Sequence, residues 1–154
     1  MCAPKLALAL ALAVSSLIAC DDDAPPPDAG TVTLAHDQGV DFGIGRARDP
    51  GNFSNSDLFA TSNGDTGLKL SSGGDSPTQN RPITWFRSGG GLPAEFADLA
   101  SVPSSPLPTT ADQLIHGKTG NGFLLETADG DHVRGWLAAA SATSVTIQWE
   151  RVAD

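Results

Sequence analysis

GFLLETADGDHVRGWLAAASATSVTIQWERV, residues 122–152, alternates apolar and polar side chains with a period of two, the spacing of a β-strand and not of a helix. Phe123, Leu125 and Thr127 fall on one face of a first strand. Ala128-Asp129-Gly130-Asp131 reads as a tight turn, because glycine adopts a positive φ without steric cost. On the returning strand Val133, Gly135 and Leu137 share one face, and His132, Arg134 and Trp136 the other. Small residues 138–143 read as a loop before a third strand, in which Val145, Ile147 and Trp149 alternate with Thr146, Gln148 and Glu150. The expectation is a three-strand antiparallel meander. Its core face carries Val133, Leu137, Val145, Ile147 and Trp149, each worth about 1.5–3 kcal/mol when buried, with Trp136 partly covered by a loop.

The same period extends upstream. Thr31-Val32-Thr33-Leu34 alternates, as do Val40, Phe42 and Ile44 around Asp41 and Gly43. Residues 57–61 (DLFAT), 68–70 (LKL) and 83–87 (ITWFR) are further short strands, the first two joined by a turn at Asn63-Gly64-Asp65. Residues 71–80 and 89–91 read as loops. One stretch differs: residues 92–102 (LPAEFADLASV) place Phe96, Leu99 and Ala100 at helical spacing with Pro93 near the first turn. Residues 101–110 (SVPSSPLPTT) hold three prolines and suit neither a helix nor a central strand. The expected class is therefore mostly β: a small antiparallel β-sandwich or open barrel, ending in the meander and carrying one short helix. The helix and the proline-rich loop would form a rim over one end, where a ligand mouth would lie.

The N-terminal residues carry a different signal. Lys5 supplies a positive charge, residues 6–16 (LALALALAVSS) are apolar but shorter than the roughly 20 residues that cross a bilayer, and Leu17-Ile18-Ala19-Cys20 follows directly before Asp21-Asp22-Asp23. This pattern resembles the type II signal peptide and lipobox of bacterial lipoproteins. The resemblance implies cleavage of residues 1–19, lipidation of Cys20, and anchorage through acyl chains worth ~0.8 kcal/mol per buried methylene. The implied place is the bacterial cell envelope, periplasm-facing or at the surface, with inner or outer membrane left open. Residues 20–30 then form the lipidated cysteine and an acidic, proline-rich linker that cannot bury enough surface to order itself, and residues 31–154 form a single β-rich domain.

Cysteine and charge counts fit that division. The chain holds only Cys2 and Cys20, so the domain beyond the linker has no disulfide and depends on its core. The formal charge of the full chain is −9; loss of Lys5 leaves eight basic against eighteen acidic residues, a charge of −10. This acidity excludes nucleic acid as a partner, since phosphate binding needs clustered Lys and Arg. The expected partners are the membrane, through the lipid, and an envelope protein or small ligand.

A second resemblance spans most of the domain. Val40-Asp41-Phe42-Gly43, Asp57-Leu58-Phe59-Ala60, Leu68-Lys69-Leu70 before a glycine-rich loop, and the Glu126-Thr127-Ala128-Asp129-Gly130 turn with Val145-Thr146-Ile147-Gln148-Trp149 resemble the layout of HmuY-like bacterial lipoproteins. That resemblance implies a β-rich surface protein and, as an alternative function, haem or metal binding through histidines. The chain differs in having Trp149 where tyrosines recur in that family, and no Tyr at all.

The chain's histidines are His36, His116 and His132. If strand pairing joined His116 and His132, with Asp129 or Asp131 nearby, they would form a ligand set for a divalent metal or haem iron. Exposed histidines on turns are the simpler expectation, and no cofactor is called for. The oxygen-rich residues 49–57 (DPGNFSNSD) lack the spacing of an EF-hand. No nucleophile elbow, zinc-protease, P-loop or dinucleotide motif is present, and Glu126 with Glu150 is the one carboxylate pair the meander would offer. An enzyme is not expected. The expected role is a lipid-anchored, non-catalytic binding or structural module.

Overall fold

The computed structural model describes residues 27–52, 56–62, 67–72, 81–87, 93–101 and 115–152. They form ten strands in two antiparallel five-stranded sheets packed face to face, with one short helix: a small β-sandwich. The first sheet runs β1(Ala29–Ala35), β10(Ser144–Val152), β9(His132–Ala140), β8(Gly122–Glu126), β6(Ile83–Phe86). The second runs β3(Arg46–Ala47), β2(Gly39–Asp41), β4(Leu58–Ser62), β5(Leu68–Ser72), β7(Ile115–His116).

The meander β8-β9-β10 forms with the expected faces. Phe123, Leu125, Val133, Leu137, Val145, Ile147 and Trp149 all enter the core, against Val40, Leu58, Ala60 and Leu70 of the opposite sheet. Its turns are closed as their residues require. Gly130 sits at φ 90°, and its N–H bonds Thr127 O at 3.2 Å. At the other end Ser141 Oγ accepts the Thr143 and Ser144 amides at 3.2 and 3.0 Å.

Five expectations need correction. The loop expected from residue 71 begins later, because β5 continues to Ser72. The loop expected over 138–143 is shorter, because β9 continues to Ala140. The pairing jumps from Thr146↔Ala139 to Ile147↔Leu137, so Ala138 is an extra residue in a β-bulge. The linker expected to reach residue 30 ends earlier: Ala29 and Gly30 pair with Glu150 and Trp149. The run Val40-Phe42-Ile44 is not one strand. Residues 42–45 turn back from β2 to β3, closed by Gly45 N–H on Asp41 O at 2.9 Å, and this leaves Ile44 40% exposed. The helix is a 3₁₀ helix over Phe96–Ser101. Three residues per turn align Phe96 with Leu99, so Ala100 points to solvent instead of joining them.

That helix explains Trp136. Val133 and Leu137 take the main core, while Trp136, Leu124 and Leu99 are buried outside it, where the helix contacts β8 and β9 on the outer face of the first sheet. Asp98 Oδ2 accepts the Ala94 and Glu95 amides at 2.8 and 3.1 Å and secures the helix start, and Arg134 stacks 5.6 Å above the Phe96 ring. The proline-rich loop expected to cover Trp136 lies outside the described residues, as does the 63–65 turn.

Gly135 is required by packing. A Cβ there would fall 2.1 Å from Cζ of Phe123, whose ring crosses the β9 backbone opposite it. Gly135→Ala is expected to destabilise the domain by about 1–3 kcal/mol through overpacking. Chemical denaturation of the two proteins measures this directly; an unchanged midpoint would show that the ring has room to move.

Candidate functional site

The strands define two ends of the sandwich. One carries the 42–45 turn, the 127–131 turn and the C-terminal end of β10. The other carries the β9–β10 turn and the approach to β8.

The first end holds a buried carboxylate and two ion pairs. Asp57 stands just before β4 and is 2% exposed. Its Oδ2 accepts the Phe42 amide at 2.9 Å and its Oδ1 the Ala128 amide at 2.8 Å, so one carboxylate joins turns from both sheets. Burial pushes its pKa above the ordinary carboxylate value. The Ala128 and Phe42 amides pull it back, nearby Asp41 adds to the rise, and Arg81 opposes it. Around it, Arg48 pairs with Asp41, and Arg151 pairs with Asp131. Arg151 also donates to Phe42 O at 3.2 Å and to Pro27 O at 3.3 Å.

The structure places the sequence-derived candidates apart. His116 lies on β7 in the second sheet, opposite Lys69. His132 opens β9 in the first sheet, its Nε2 4.0 Å from Glu126 Oε2. Asn121 donates to His116 O at 2.9 Å and accepts the Leu137 amide at 2.8 Å, which puts His116 near the Leu137 end of β9. His132 is five residues away along that strand, about 17 Å. Asp131 is committed to Arg151, and Asp129 is exposed on the turn beside Gly43. Among the described residues no group of three or more His, Cys, Asp or Glu is arranged to hold a metal. Glu126 and Glu150 are likewise separated: Glu150 pairs with Arg134, and β9 lies between the two. Cys20 and the rim loop 102–110 lie outside the described residues.

The second end holds a feature the residues did not announce. An open cleft of about 430 Å³ lies between Gly67, residues 117–119 and residues 140–142, with Lys118 the charged side chain among the described residues that line it. It is built from glycine, alanine and turn residues of three separate segments, so no local pattern marks it. The Asp57 bridge was equally hidden, since an aspartate opening a candidate strand carries no local sign of the two distant amides it accepts. No family model, curated protein or solved structure matches the chain. No helix among the described residues is long and apolar enough to cross a membrane.

Asparagine has one acceptor oxygen, so Asp57→Asn strands either the Phe42 or the Ala128 amide; a loss of about 1–3 kcal/mol is expected. The sign of the pH effect follows from the raised native pKa. The folded state then binds the proton more tightly than the unfolded chain, so the Asp57 contribution falls as pH rises from the ordinary value of 3.8 through the native one. The stability deficit of Asp57→Asn should therefore narrow as pH rises across that window. Denaturant midpoints at a series of pH values test it, and a widening deficit would reverse the assignment.

Proposed function

We propose that this chain is a lipid-anchored protein of the bacterial cell envelope, a non-catalytic binding or structural module tethered through Cys20. The observation that carries the reading is Leu17-Ile18-Ala19-Cys20, placed after an apolar run too short to span a bilayer and before three aspartates that hydrocarbon would exclude. The position of the domain supports it. The first strand opens at Ala29, nine residues after Cys20, so the lipid-bearing residue and the folded unit do not overlap. A sandwich without cysteine suits an oxidising compartment, because it has no thiol to mispair. Two or more acyl chains on one cysteine would hold the protein stably where a single chain holds only marginally.

The charged end supports a structural part in that role. Asp57, Asp131 and Arg151 are engaged by turns of the fold itself, which leaves them holding the sandwich together and not poised toward a substrate.

Cys20→Ala is expected to move the protein from the membrane fraction to the soluble fraction and to abolish incorporation of labelled fatty acid. Retention of both in the variant would defeat the reading.

A further inference from the structure

We infer that the domain stands on its Arg151 end, so that the Lys118 cleft is presented away from the lipid; this rests on the anchorage through Cys20. The tether is not merely continuous with the sandwich but fastened to it. Arg151 Nε donates to Pro27 O at 3.3 Å and the Arg151 amide to Asp28 O at 2.6 Å, before β1 begins. The Pro27 ring lies against Gly45, where a Cβ would fall 2.5 Å from its Cγ. The remaining groups of Arg151 hold the same end together: it pairs with Asp131 and donates to Phe42 O and Gly43 O at 3.2 and 3.4 Å. One guanidinium thus binds the exit of the tether to both turns.

The chain from Cys20 to Pro27 is seven residue steps, which reach at most about 25 Å. Because Arg151 and the Gly45 surface hold Pro27 to the sandwich, the pivot for the domain is Pro27, not a point further up. From Arg151 back to Ser144 along β10 is seven steps of strand, about 24 Å, and the cleft lies beyond, at Lys118 and residues 140–142. Ile44, the exposed large hydrophobic side chain among the described residues, sits beside Gly45 at the tethered end, where lipid is the nearest apolar surface. An upright domain would offer the cleft to a partner approaching from the compartment, and offer the Asp129 turn to the bilayer.

The full chain allows a clean test, because Cys2 would be removed with the signal and Cys20 consumed by lipid. Asp129→Cys and Thr143→Cys, made singly at exposed positions of the two turns, each take one thiol fluorophore. The lipidated proteins are placed in vesicles containing a headgroup-labelled quencher lipid. Strong quenching at position 129 and loss of most of it at position 143 is the expected result. Adding Arg151→Gln should reduce that difference by freeing Pro27. Membrane-bound protein quenched equally at both positions, or more at 143, overturns the orientation while leaving the anchorage intact. Protein that does not bind vesicles overturns both.

Discussion

Phe42 is where the two sheets are joined. It follows β2 of the second sheet, yet its ring packs on Phe123 of β8 and Trp149 of β10, with centroids 6.0 and 5.2 Å away. Trp85 of β6 meets Phe123 edge-on at 5.5 Å and extends the row across the first sheet. Rings at these distances add about 0.5–1.5 kcal/mol per pair beyond the area they bury. In a domain without a disulfide, this row takes the place of a covalent link between layers. It works only because the backbone gives way around it: Gly135 leaves room for Phe123, and Gly30 and Gly45 leave room for the Trp149 indole.

The polar contacts at that end exist to hold Phe42 in place. Its amide is bonded by Asp57 and its carbonyl by Arg151, so both backbone groups of the residue are tied to side chains distant in the chain. A buried carboxylate is costly to desolvate, as the raised pKa of Asp57 records. The compensation is that one side chain satisfies two turn amides that would otherwise lie unpaired, each worth about 1–3 kcal/mol if left so. The surrounding Arg48–Asp41 and Arg151–Asp131 pairs are partly exposed, and pairs of that kind contribute about 0–1 kcal/mol. Their value is geometric: they define the turns on which Phe42 and Ala128 sit.

Periodicity made the meander legible, because facing is decided locally; every second residue from Val145 to Trp149 turns inward whatever the rest of the chain does. The same argument misjudged Ile44. Alternation assigns a face but does not see that the chain reverses at residues 42–45, a turn that depends on Asp41 accepting the Ile44 amide at 3.3 Å. Ala100 was misplaced for a related reason: 3₁₀ and α spacing diverge at the fourth residue. The two-residue strand β7 had too little pattern to be read at all. The site was less legible than the fold. His116 and His132 are sixteen positions apart in the chain and stand in different sheets, and nothing local says so. Asp57 acquires its meaning from Ala128, seventy-one positions away.

The carboxylate bridge and two of the ion pairs lie at one end of the sandwich, and the strand directions decide what meets there. β1 leaves this end and β10 returns to it, so the residues just before β1 and those closing the core belong to one cluster: Pro27, Phe42, Asp131 and Arg151. Changes there reach the core and the entry to β1 together. At the opposite end the described turns carry Lys118, Thr119 and Ala142, which lie outside the core cluster. Loops that carry no core contacts tolerate variation best. A sandwich built this way would therefore vary most readily at the cleft end, with the aromatic row and its two backbone anchors as the part that has to stay.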